Sequence, residues 1–211
     1  MTGFSFKFFA GKFVSLAKYL ILLLIPVLFF SCVTYPDSEH GGIEKLSRNI
    51  YTEGKKTSVQ LCNFFLIRCP SADRDRILRI AKIYVSEAKM EGINSDVAFV
   101  QMCLETNYLR YGNLVTPDMN NFCGLGAIDA ERRGEYFPDE KTGIRAHIQH
   151  LHAYGTPDYV PLSNELVDRR YKYVNPRGKA PTVFELAGTW AADKEYGRKL
   201  DSLLNELAKV N

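Results

Sequence analysis

No acidic side chain precedes Asp37 in this chain of 211 residues. Lys7, Lys12 and Lys18 are the only charged residues before it. The apolar run that follows, residues 19–30, is shorter than the ~20 residues a spanning helix needs. Basic residues followed by a short apolar run form the n-region and h-region of a signal peptide, so residues 1–31 are set apart from the fold. Other absences narrow the class. The net charge of +3 equals the three lysines of the leader, and what remains has 24 basic against 24 acidic residues. No basic patch is left to bind nucleic acid. There is no Cys-x-x-Cys and no Cys/His spacing of a zinc site. No internal repeat or low-complexity tract occurs, which excludes a solenoid. Tryptophan occurs once, at Trp190.

The leader closes on Ser31-Cys32. A small residue before a cysteine resembles the processing site of a bacterial lipoprotein, where the cysteine becomes the lipidated first residue. The expectation is an exported protein anchored to a membrane through Cys32 and facing the periplasm or cell-wall space. An ordinary signal peptide or an uncleaved anchor, with Cys32 a bystander, is the alternative. Residues 32–57 are polar and contain Pro36, Gly41, Gly42 and Gly54, the composition of a flexible tether. Residues 58–211 are the length of a single domain. Four cysteines lie in that domain, Cys62, Cys69, Cys103 and Cys123. An exported chain permits disulfides between Cys62 and Cys69 and between Cys103 and Cys123, and buried free thiols are at least as good a reading.

Helical periodicity begins at Ser58 with Leu61, Phe64 and Phe65. Residues 73–90 carry Ile77, Ile80, Ala81, Tyr84, Val85 and Ala88 on one stripe. Asp73 and Asp75 stand in the first turn of that helix, Lys89 in its last and Gly92 just beyond, where each is favourable. Asn94 or Ser95 can cap the next helix. Residues 108–140 are broken by glycines and prolines, and a long irregular segment in a compact domain is usually functional. Residues 142–154 read as helix, 156–181 as loop with short helical pieces, and 183–190 and 195–209 as closing helices.

Glu105 ends an almost unbroken apolar stretch, residues 97–108. A helix apolar on all faces is buried, and a carboxylate on it holds its proton to higher pH, as a general acid must. A structural glutamate surfacing at a helix end is the competing account. His147 and His150 share a helix face, yet no nearby carboxylate or cysteine completes a metal site, so no metal is expected.

Three motifs follow in order: Leu104-Glu105-Thr106, then Asn120-Asn121-Phe122-Cys123-Gly124-Leu125-Gly126, then the run from Trp190 through Tyr196 to Leu200. With Gly143-Ile144-Arg145-Ala146-His147-Ile148-Gln149-His150-Leu151, they resemble the bacterial glucosaminidase family, endo-β-N-acetylglucosaminidases that cut the glycan strand of peptidoglycan. The resemblance spans roughly residues 58–205. It implies a mainly α, lysozyme-like fold: a helical lobe, a small loop or β-hairpin lobe, and a groove between them. It implies Glu105 as catalytic acid with Tyr196 in the catalytic site, and Asn120, Asn121, Phe122, Gly124 and Trp190 lining the groove. It implies peptidoglycan glycan strands as partner, a monomer, and no cofactor. Taken alone, Asn-Asn before a glycine is turn chemistry, and Trp190 or Tyr196 would serve as core. Glycosidases usually need a second carboxylate, and Asp129, Glu131 and Glu135 are the candidates. A binding module that holds peptidoglycan uncut and a lytic transglycosylase on the same fold are the rival functions.

Overall fold

The computed structural model describes residues 45–112 and 114–211. The leader, Cys32 and the tether up to residue 44 lie outside the described residues. Five helices carry the fold: α1 (Ser58–Arg68), α2 (Arg74–Glu91), α3 (Ser95–Glu105), α4 (Glu140–Gly155) and α5 (Tyr196–Ala208). Two single 3-10 turns, Pro117–Met119 and Tyr171–Tyr173, interrupt the long connections. The mainly helical architecture expected from the sequence is what is observed.

The helix starts are fixed by side chains that take up otherwise unpaired backbone donors. Thr57 and Gln60 form a reciprocal capping box at α1. Asp73 accepts from the Asp75 and Arg76 amides at α2, and Gly92 closes that helix in the left-handed conformation. Asn94, rather than Ser95, caps α3. α3 is the axis of the molecule and packs against each of the other four helices. Its residues from Val97 to Cys103 are all fully shielded, so its apolar sequence on every face reflects its position at the centre of the bundle. Tyr84 of α2 meets Phe99 edge-on, with ring centroids 5.6 Å apart.

Two expectations are corrected. Residues 45–57 are not tether. Leu46 and Ile50 are buried, Ile50 donates to the Pro181 carbonyl at 2.9 Å, and Asn94 N–H donates to Ile50 at 2.9 Å. The Lys56 ammonium reaches the carbonyls of Ala208 (3.2 Å) and Val210 (2.9 Å) at the end of α5. The polar composition hides a segment whose donors and acceptors are matched by the fold. Residues 183–190 are turns, not helix. Gly188 adopts φ +77, and the Leu186 carbonyl gathers the amides of Thr189, Trp190 and Ala191, which closes the chain on itself. The small lobe, residues 120–137, takes the loop form of the two expected, with one isolated antiparallel bridge, Ala127 to Arg133. The four domain cysteines are all buried and free, consistent with their reading as small apolar residues. Among the described residues no helix is long and apolar enough to cross a membrane.

Candidate active site

Glu105 is the last residue of α3, and the chain turns away immediately after it. Thr106 fixes the turn: its hydroxyl donates to the Met102 carbonyl at 2.7 Å and accepts from the Leu109 amide at 2.9 Å. Asn107, Tyr108, Leu109 and Tyr111 then adopt left-handed backbone, with φ of 48, 56, 58 and 58. Non-glycine residues sit there at a cost of about 1–2 kcal/mol each, and such strain clusters at functional sites. The coil is held by Tyr108 N–H to Cys103 and Tyr111 N–H to Thr106, both 2.8 Å. The result is an abrupt helix end that leaves Glu105 at the wall of a cleft of about 300 Å³.

Two aromatic donors converge on one oxygen of Glu105. Trp190 Nε1 donates to Oε1 at 3.0 Å, and the Tyr196 hydroxyl donates to the same atom. Trp190 is delivered by the 186–191 turn and Tyr196 by the first residue of α5, so segments 85 and 91 residues away in sequence complete the site. Burial pushes the Glu105 pKa above the ordinary carboxylate range, and the hydrogen bonds from Tyr196 and Trp190 partly oppose it. The other oxygen, Oε2, looks across at Gly124, whose missing Cβ would stand 4.0 Å from it. Gly124 has φ +69, so this wall is bare backbone at a position where a side chain would be strained.

The loop opposite Glu105 shows which of the expected groove residues belong there. Asn121 borders the cleft, but it is fully buried and its amide is occupied. Its Nδ2 donates to the carbonyls of Leu125 (2.9 Å) and Glu135 (3.1 Å), and its Oδ1 accepts from the amides of Leu125 (2.9 Å) and Cys123 (3.4 Å). Asn121 is therefore the knot of the loop rather than a reader of substrate. Asn120 lies away from the cleft. It donates to the Phe137 carbonyl at 3.0 Å, and its own carbonyl abuts Gly143 so closely that a Cβ there would collide. Phe122 is 1% exposed and packs in the core near Tyr84, because the loop turns it inward where its aromatic area is buried. Gly124 and Trp190 do line the cleft, beside Tyr111, Val115 and Cys123, for which no groove role was expected.

Among the described residues that line the cleft, Glu105 is the only carboxylate. Asp129 closes a turn on the amides of Glu131 and Arg132 and pairs with the Arg132 guanidinium, which holds its carboxyl below the usual range. Glu131 is exposed. Glu135 is turned toward Arg169, 3.7 Å away.

Behind the cleft three residues, Gln101, His147 and Tyr84, join in a hydrogen-bonded chain that was not expected. Gln101 Nε2 donates to the Tyr196 hydroxyl at 2.8 Å. Gln101 Oε1 lies 3.0 Å from His147 Nε2, and His147 Nδ1 lies 2.9 Å from the Tyr84 hydroxyl. Gln101, His147 and Tyr84 are all fully shielded. Burial holds the His147 pKa down at about 3, with His150 adding to the effect, so the ring is neutral. His147 is thus a hydrogen-bonding member of the core. His150 is engaged elsewhere, 2.7 Å from Asp168. Among the described residues no group of three or more metal-ligating side chains converges. A polar residue in an apolar helix, as Gln101 is, was the signal available for this chain.

A family model described as mannosyl-glycoprotein endo-beta-N-acetylglucosaminidase, the glucosaminidase model, matches residues 81–209. An uncharacterized protein of Borreliella burgdorferi is 37% identical over 168 residues, covering 80% of this chain and 81% of the relative. Two solved structures overlap the fold more loosely. One is autolysin E of S. aureus in complex with the muropeptide NAM-L-Ala-D-iGlu, at 13% identity and a TM-score of 0.49, covering 80% of this chain and 74% of that one. The other is the catalytic domain of the autolysin Auto of Listeria monocytogenes, at 16% identity and a TM-score of 0.42, covering 74% and 90%.

Proposed function

The chain belongs to the glucosaminidase family, and from that premise we propose that it is a peptidoglycan hydrolase. It cleaves β-1,4 bonds on the N-acetylglucosamine side of the glycan strand, with Glu105 as general acid. The observation that carries this reading is the asymmetry of Glu105. One oxygen receives both aromatic donors and the other is open to the cleft. An oxygen receiving two donated protons is not the one that bears the acid proton, so the proton of the neutral form rests on Oε2. That is where a glycosidic oxygen in the cleft would take it. The raised pKa keeps the neutral form populated toward neutral pH.

The same cleft has no second carboxylate among its described lining residues. That favours a mechanism in which the substrate's own N-acetyl group assists departure of the leaving group. It also supports a second reading, a lytic transglycosylase, which works with one glutamate. Digestion of purified sacculi followed by mass analysis of the chain ends separates these readings. Reducing N-acetylglucosamine ends support the hydrolase. Anhydro-muramic ends replace it with the transglycosylase. Binding with no release of fragments leaves only a binding module.

The proposal extends to location: a monomer held by a lipid on Cys32, processed after Ser31. Detergent-phase partition lost in Cys32→Ala supports this. Partition retained at unchanged mass makes the apolar leader an uncleaved anchor.

A further inference from the structure

The polar chain behind Glu105 has a direction, and its far end determines it. Tyr84 lies fully buried on α2, and His147 Nδ1 is the one hydrogen-bond partner its hydroxyl has among the described residues. A buried hydroxyl must place its proton on an acceptor or bear the desolvation cost. Tyr84 therefore donates, and His147 Nδ1 accepts. A neutral imidazole with Nδ1 accepting carries its proton on Nε2, which points at Gln101 Oε1, 3.0 Å away. The Gln101 carbonyl being so occupied, its amide nitrogen faces Tyr196 and donates at 2.8 Å. The Tyr196 oxygen is then an acceptor from Gln101, and its single proton is directed to Glu105 Oε1.

The reverse order is conceivable in outline: Glu105 to Tyr196, Tyr196 to the Gln101 carbonyl, the Gln101 amide to His147 Nε2, and His147 Nδ1–H to Tyr84. It ends with the Tyr84 proton in an enclosure beside Phe99 and Phe122, with the Cys103 and Cys123 thiols and the Tyr111 hydroxyl near it, and with no hydrogen-bond acceptor among the described residues. We infer that Tyr84, His147 and Gln101 are positioning residues that force Tyr196 to donate to Glu105, which reserves Oε2 as the atom carrying the transferable proton. This rests on the proposed role of Glu105 as acid.

The groups facing the chain do not supply a rival charge. Glu105 faces Tyr196 of α5, Trp190 of the 186–191 turn and the Cys123 thiol of the small lobe. His147 faces Tyr84 of α2, Gln101 of α3 and the Trp190 ring. His150, its neighbour on α4, is paired with Asp168.

Two measurements test the inference. In the wild-type protein, imidazole nitrogen NMR of His147 should show the Nε2–H tautomer throughout the neutral range. Observation of Nδ1–H overturns the inference whatever the enzyme's activity. In the second, pH–rate profiles on peptidoglycan are recorded for Tyr84→Phe, Tyr196→Phe and the double variant. With the direction no longer enforced, Tyr196 stops donating reliably to Glu105, and the ionised carboxylate loses a stabilising contact. Its pKa rises, so the alkaline limb of Tyr84→Phe should move to higher pH while turnover falls roughly three- to tenfold. In the Tyr196→Phe background the Tyr84→Phe change should add nothing further, because the two act through one bond. An unmoved limb, or fully additive effects, removes Tyr84 from the chain's function. Glu105→Gln with full activity instead removes the acid itself and leaves the tautomer result standing.

Discussion

The two ends of α3 each hold a carboxylate withdrawn from water, and they are arranged oppositely. At the start, Asp96 is 1% exposed and both its oxygens are engaged: Oδ2 accepts from the Lys55 amide at 2.8 Å and Oδ1 from the Lys56 amide at 3.1 Å. It also stands at the helix end where a negative charge is favoured. At the finish, Glu105 sits where the helix dipole opposes a negative charge, with both donors on one oxygen and the second oxygen facing open space. Two more buried acids follow the first pattern. Glu87 meets Arg145 through both oxygens, at 2.8 and 3.3 Å, and Glu91 accepts from the amides of Ser163 (2.7 Å) and Asn164 (3.0 Å). Burial alone therefore does not set Glu105 apart from the other acids of this molecule. An oxygen left open to a cavity does.

The contrast is broken most directly at Glu105. Glu105→Gln is nearly isosteric and cannot deliver a proton, so release of fragments from sacculi should fall at least ~100-fold. Its melting temperature should be no lower than that of the wild type. The folded-state pKa of Glu105 is raised, so the wild-type carboxylate weakens the fold as pH climbs from the ordinary carboxylate range through that higher pKa, and Gln has no charge to bury. Activity of the wild type should fall over the same rise in pH, because only the protonated form is an acid. Full turnover in a folded Glu105→Gln protein would end the assignment.

Asp96→Asn should behave the other way round. Replacing one of the two acceptor oxygens with an amide nitrogen, whose N–H groups then face a backbone donor, should remove roughly 2–3 kcal/mol of stability. Activity per folded molecule should be unchanged, as denaturant titration alongside a turnover assay would show. If Asp96→Asn instead spares stability and depresses turnover, the distinction between the two helix ends fails.

Asn121→Ala cuts four hydrogen bonds in the small lobe and should lower stability by about 2 kcal/mol. A wild-type melting temperature combined with loss of activity would return Asn121 to the role of substrate reader. Tyr196→Phe is expected to have the smallest effect, a roughly tenfold loss of turnover with the ring still packed. Unchanged turnover and an unchanged alkaline limb would make the hydroxyl a spectator.

The helical skeleton was readable because its signals are local. Asp73 and Gly92 bracket α2 as capping chemistry requires, and the stripe from Ile77 to Ala88 is the face it buries. The burial of Glu105 and the upward shift of its pKa were readable for a related reason, since it is a lone acid in an apolar stretch. What escaped was set by partners far along the chain. Nothing local to Ile50 shows that it will donate to Pro181 and accept from Asn94. Phe122 and Asn121 are adjacent, and only the folded loop shows that the first turns to the core while the second spends its amide on backbone. Gln101 and His147 are 46 residues apart, so neither one, read singly, indicates a hydrogen-bonded pair.

The tie between Lys56 and the last carbonyls of the chain bears on mechanics. Any pull applied upstream of Lys45 enters the domain through residues 46–56, which are bonded to Pro181, to Asn94 and Asp96 at the head of α3, and to the end of α5. Those attachments spread over several elements at once. Glu105 lies at the opposite end of α3, about 15 Å away along the helix axis. The amino-terminal attachments and the cleft therefore lie at opposite ends of one helix.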